Sequence, residues 1–285
     1  MTETLLLVLK LSVVALIFAI GLGSTPADLV YLWRRPGQLV RSLLAMYVVV
    51  PVAAVVLART LPLPVAVKTA ILVLAISAGA PLLPRKLMKL GREGYVFSLV
   101  VTSSLLAVVA VPVWLKVLGT LFGREADLDP RAVALVVAKS FLAPLVLGML
   151  LRWPLSSVAE RLSQGVMGAA GAALTAAGLA LLLLHGGALV AVGLLPLLAL
   201  AATTLVALAI GHALGGPDPD DRTALAVSCA TRHVGVAMLA ASTVPGPRIA
   251  VLVLAYVVAS AVVSIPYLRW RKSARAGGES GRQTS

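Results

Sequence analysis

The stretch Ser228-Cys229-Ala230-Thr231-Arg232-His233-Val234-Gly235 sets a permanent positive charge and an imidazole side by side within an apolar run from Thr223 to Val244. A guanidinium cannot lose its proton. Arg232 stands nine residues from the start of the run and twelve from its end. At 1.5 Å per helical residue that is about 13 Å from the nearer end, at the limit of side-chain reach. An arginine in mid-span costs about 2.5–3.5 kcal/mol on insertion scales, so such residues tend to mark a site. Two readings follow. In one, Arg232 donates to backbone carbonyls of a neighbouring helix and is structural. In the other, it is the fixed cation of an anion-binding site. His233 is either a neutral hydrogen-bonding imidazole or a titrating proton carrier.

No carboxylate is at hand to neutralise Arg232. Glu3, Asp28, Glu93, Glu125, Asp127, Asp129, Glu160, Asp218, Asp220, Asp221 and Glu279 all fall in termini, loops or span edges. A buried guanidinium needs an anion, carbonyls or water, and an organic anion would satisfy it well. Hydroxyls within apolar runs add polar groups: Ser98 and Thr102 stand four apart, on one helical face, and Thr203 and Thr204 lie in a later run. Such hydroxyls are also commonly bonded back to their own helix. No paired carboxylates, Ser-Lys dyad or His-x-x-x-His site lies within the apolar runs, so an enzyme is not expected. No cofactor is expected either. The single Cys229 excludes an internal disulfide, and no Cys/His cluster has zinc spacing.

The elements that must position these residues are membrane helices. Of 285 residues 60% are hydrophobic and only 12% charged, too few to cover the core of a soluble domain of this length. The mean hydropathy is +1.03. Continuous apolar blocks without alternation argue for helices over a barrel. We expect an all-α polytopic protein with nine spans at roughly 4–23, 38–58, 64–83, 95–118, 131–151, 162–184, 188–213, 223–244 and 248–268. The first run lacks a basic leader and is expected to be a retained span rather than a signal peptide. A single transporter domain over 1–273 and a disordered cytoplasmic tail over 274–285 are expected. Fifteen Lys and Arg fall on one side, six on the other and three within spans. The positive-inside rule then places the C-terminus in the cytoplasm and the N-terminus outside the cell (inner) membrane. The net charge of +13 has this bland explanation, and nucleic acid is not an expected partner.

Two segments match at an offset of 154. Thr69-Ala70 leads to Val111-Pro112-Val113-Trp114, and Thr223-Ala224 leads to Ile265-Pro266-Tyr267-Leu268. Five spans separate corresponding points, so the copies face opposite ways. That is an inverted repeat, with halves about 1–120 and 131–270, a recurrent plan of secondary transporters. Each half of such a fold contributes a helix broken near the midplane. The segment Ile76 to Pro84, shifted by 154, falls on Ala230 to Met238, so the repeat predicts a break at Arg232-His233. For the third span a break and an uninterrupted helix followed by a basic loop are both open.

Three patterns then suggest a family: Tyr47-Val48-Val49-Val50-Pro51, Ser77 to Gly94 running into Tyr95 through Thr102, and Cys229 to Ala241. In this order the chain resembles the bile acid:sodium symporter family and its bacterial relatives over nearly its whole length. The resemblance implies a core domain and a panel domain, with two broken helices crossing in the core. Sodium-coupled members carry a Glu and a Gln-Asn pair in the second broken helix, where this chain has Ser228 and Arg232-His233. A Ser-Asn pair in the first falls on Pro84-Arg85, and a Gln in the preceding helix falls on Met46. Only Ser98 and Thr102 persist. The resemblance therefore implies a transporter of a small organic anion, a bile-acid-like carboxylate or sulfonate, with dismantled sodium sites. Arg232, His233, Ser228, Thr231, Ser77 and Arg85 are its candidate substrate-binding residues, and Ser98 and Thr102 are its weaker ion-binding candidates. A sodium symporter using the remaining hydroxyls and carbonyls, and a sensor that binds without transport, are the alternatives. Oligomeric state is not readable.

Overall fold

A computed structural model describes residues 2–77, 93–123, 129–184, 187, 193–232, 237 and 248–283. Among these the chain is helical, with no strand. The helices are α1 (Thr2–Gly23), the single-turn α2 (Pro26–Val30), α3 (Pro36–Thr60), α4 (Val65–Ile76), α5 (Glu93–Phe122), α6 (130–152), α7 (Ala159–Leu184), α8 (Leu194–Leu214), α9 (Pro219–Ala230) and α10 (Arg248–Gln283). Four stretches among the described residues are long and apolar enough to cross a bilayer: Pro36–Thr60, Gly94–Phe122, Ala134–Arg152 and Leu194–Leu214. The protein is therefore an all-helical membrane protein.

Two expected spans are not continuous helices. In the run expected over 64–83 the helix ends at Ile76 and Ser77 lies outside it; in the run over 223–244 the helix ends at Ala230 and Thr231 and Arg232 lie outside it. Each helix has 12 residues, about 18 Å at 1.5 Å per residue, against about 30 Å of hydrocarbon. Their first residues, Val65 and Pro219, and their last, Ile76 and Ala230, are each 154 positions apart.

The two stops share a local chemistry. Ser77 follows α4, and its amide and hydroxyl both donate to the Val73 carbonyl, at 3.2 and 2.7 Å. Thr231 follows α9, and its amide and hydroxyl both donate to the Val227 carbonyl, each at 2.8 Å. A hydroxyl turned back on the i−4 carbonyl competes with the helical ladder and favours termination. At its other end α9 starts from Asp218, whose carboxylate accepts the Asp220 amide at 2.8 Å, with Pro219 in the first turn.

Prolines shape the longer helices. A π-helical turn at Ala45–Val49 precedes Pro51 in α3, and one at Ala138–Leu142 precedes Pro144 in α6. A proline ring clashes with the carbonyl four residues back and gives it no N–H, and a widened turn relieves the clash.

α1 packs on α6 and α7, α6 also packs on α5, and α3, α4, α5, α8, α9 and α10 pack on one another. Bare glycine faces let backbones touch. A Cβ on Gly21 would sit 2.2 Å from the Leu145 carbonyl oxygen, and one on Gly148 would sit 2.2 Å from that of Phe18. Gly211 plays this part between α8 and α9, where a Cβ would meet Ala226 at 2.5 Å. α10 runs to Gln283, into the segment 274–285 for which a disordered tail is expected. Helix is propagated into it from a long apolar stretch through Arg271-Lys272-Ser273-Ala274-Arg275, mostly good helix formers.

Candidate functional site

The open ends of α4 and α9 define the site. The last carbonyls of a helix have no intrahelical donor, and the helix end carries about half a negative charge. Both ends are capped from afar. Arg232, two residues beyond α9, donates through Nη1 to the Ala75 carbonyl in the last turn of α4 at 3.3 Å. Tyr256 of α10 donates its hydroxyl to the Ala230 carbonyl, the last of α9, at 2.6 Å. Each interrupted helix is thus closed by a group from outside it.

Arg232 is 5% exposed. No carboxylate lies against it among the described residues. Asp28 accepts from Thr25, Asp129 and Asp218 cap helix starts, Glu160 accepts from Gln164, and Asp221 accepts from Gln38. The charge of Arg232 instead reaches Tyr47 and Cys229 electrostatically. The Ala75 contact is of the kind expected if Arg232 is a structural carbonyl donor. It does not exclude the other, because a guanidinium has five N–H groups.

Ser77 and Thr231 sit at the two stops, within two residues of Ala75 and next to Arg232, with hydroxyls bonded back as described. Ser228 is buried in the last turn of α9, and its Oγ has no hydrogen-bond partner among the described residues. Ser104 of α5 is also buried, and its Oγ likewise has no partner among the described residues. Such hydroxyls are costly to bury unless water or a ligand reaches them. Ser98 and Thr102 face a different neighbour. Ser98 Oγ accepts the Leu32 amide at 3.1 Å, and Thr102 Oγ1 accepts the Trp33 indole N–H at 3.2 Å. They pin the connection before α3 onto α5. Thr203 and Thr204 bond back to Ala199 and Leu200. His233 and Arg85 lie outside the described residues.

Sequence reasoning missed the aromatic caps. Tyr256 gave no local signal, since only packing brings it to Ala230. Tyr47 did give one: Pro51, four residues on, cannot donate to its carbonyl. The Trp114 indole N–H supplies that bond at 2.8 Å, and the Tyr47 hydroxyl donates to the Ser103 carbonyl. This network ties the π turn of α3 to α5 beside Arg232.

An all-helical architecture with helices long and apolar enough to cross a bilayer defines the class as a membrane protein. Residues 10–210 match the Sodium Bile acid symporter family, and the chain belongs to that family. The match ends before α9, so Arg232 lies beyond the matched residues, and the agreement is shorter than the near-complete resemblance read from the sequence. No curated protein matches the chain.

Proposed function

We propose that this protein carries a small organic anion, a bile-acid-like carboxylate or sulfonate, by alternating access and without the family's sodium sites. In this reading the guanidinium of Arg232 is a resident cation. A sodium ion would bring one positive charge to two converging helix C-termini, and Arg232 brings the same charge covalently. The carrying observation is that a buried Arg232 engages the end of α4 with no carboxylate beside it among the described residues. Its remaining N–H groups, with the Ser228 hydroxyl, would receive the anion. His233, Arg85, Ser77 and Thr231 are proposed to line the same passage. The shared boundaries of α4 and α9 and their matching stops support an inverted repeat in a nine-span topology. The N-terminus is then outside and the C-terminus cytoplasmic.

The sodium-coupled alternative needs Ser98 and Thr102 as ligands. A hard cation takes about six oxygens and is repelled by a neighbouring guanidinium. Both hydroxyls already accept bonds from Leu32 and Trp33, which favours the sodium-free reading. Uptake of labelled organic anions into proteoliposomes, with and without a sodium gradient, is the test. Sodium-independent uptake is expected. Strict sodium dependence overturns the proposal, and saturable binding without flux would show a sensor.

A further inference from the structure

The end of α10 beside the α8–α9 turn carries a basic and aromatic surface unrelated to the passage. α10 leaves its apolar run at Leu268 and continues Arg269-Trp270-Arg271-Lys272. Arg271 is held in place: Nε donates to Thr223 Oγ1 at 2.9 Å and Nη2 to the Pro219 carbonyl at 2.8 Å, with the guanidinium 5.4 Å from the centre of the Trp270 ring. Arg222 is held too, through Nε to the Gly216 carbonyl. Both arginines act electrostatically on His212 and Tyr267, so their charges converge on one place. There His212 Nδ1 meets the Tyr267 hydroxyl at 2.9 Å, and the Trp270 ring lies 5.5 Å from that of His212. Asp218 accepts the Asp220 amide at the start of α9, and the buried Asp221 accepts from Gln38.

We infer that this surface binds an anionic phospholipid, its headgroup on the cations and its chains along α10. The profile along the helix selects that occupant over a free phosphate. Val262, Ile265 and Pro266 are exposed, and Arg269 and Trp270 continue the same stripe. The stripe passes from apolar (Val262 to Pro266) to basic and aromatic (Arg269 and Trp270) over about 12 Å, as a lipid passes from acyl chain to headgroup. Trp270 is 55% exposed at the end of the apolar run, where interfacial tryptophans sit. Exposed cations at that depth attract anionic headgroups.

The test uses the full chain in detergent, with phosphatidylglycerol, phosphatidylcholine or inorganic phosphate added separately. Thermal melting and native mass spectrometry are the readouts. Phosphatidylglycerol is expected to raise the melting midpoint and to stay bound, while the other two do neither. The double variant Arg269→Gln/Lys272→Gln removes cations that carry no bond of the fold described above. It should keep the lipid-free midpoint and bind phosphatidylglycerol roughly tenfold more weakly. Equal retention of phosphatidylcholine, an equal shift with inorganic phosphate, or unchanged binding by the variant overturns the inference. None of these readouts depends on flux, so failure here is distinct from failure of the transport proposal.

Discussion

Arg232 and Ala75 stand 157 positions apart in the chain and 3.3 Å apart in space, guanidinium to carbonyl, where the ends of α4 and α9 meet. One ionised side chain closes the end of α4 from just beyond the end of α9.

Replacing that charge should affect both flux and fold. Arg232→Gln is expected to reduce anion uptake at least tenfold and to lower the melting midpoint, because a hydrogen bond from a charged donor contributes about 1.5–3 kcal/mol. Arg232→Lys keeps the charge without the planar fork, and should retain more stability than uptake. Proteoliposome flux and thermal melting in detergent separate the two effects. Full uptake by Arg232→Gln would sink the resident-cation proposal.

The second cap can be tested without touching charge. Tyr256→Phe deletes the hydroxyl on the Ala230 carbonyl and leaves the ring. A loss of about 1–3 kcal/mol is expected for an acceptor left buried and unpaired, read as a lower midpoint. An unchanged midpoint would mean that the end of α9 is satisfied elsewhere.

The Tyr47 carbonyl invites a double-mutant cycle. Trp114→Phe alone should destabilise by about 1–3 kcal/mol, since Pro51 leaves that carbonyl no helical donor. In a Pro51→Ala background the new N–H can take over, and the cost of Trp114→Phe should shrink to below about 0.5 kcal/mol. Equal costs in both backgrounds would show that Pro51 does not create the need for Trp114.

Backbone contact between α1 and α6 makes a steric prediction. Gly148→Val sets a side chain where a Cβ already lies 2.2 Å from the Phe18 oxygen, and folded protein should fall sharply. Gly165→Val, with nothing within 4 Å of its Cβ, is the control and should express as the parent does. Monodisperse yield by size-exclusion chromatography reads both.

The sequence alone determined what depends on local pattern. Apolar run length and the lack of alternation specified membrane helices, because lipid leaves the backbone few other ways to satisfy its hydrogen bonds. The 154-residue offset pointed to a break at Arg232, and the same offset relates Ser77 to Thr231 and Ile76 to Ala230. The Tyr47–Pro51 spacing held a readable clue to an orphaned carbonyl. Tertiary structure alone decided the partners. Ser98 and Thr102 share a helical face in any reading, yet only packing turns them to Leu32 and Trp33. Nothing within a few residues of Arg232 or Tyr256 names Ala75 or Ala230 as acceptor. Helix formation is settled by neighbours three and four residues away, whereas the donor for a stranded carbonyl is whatever polar group the assembled helices bring within 3 Å or so of it.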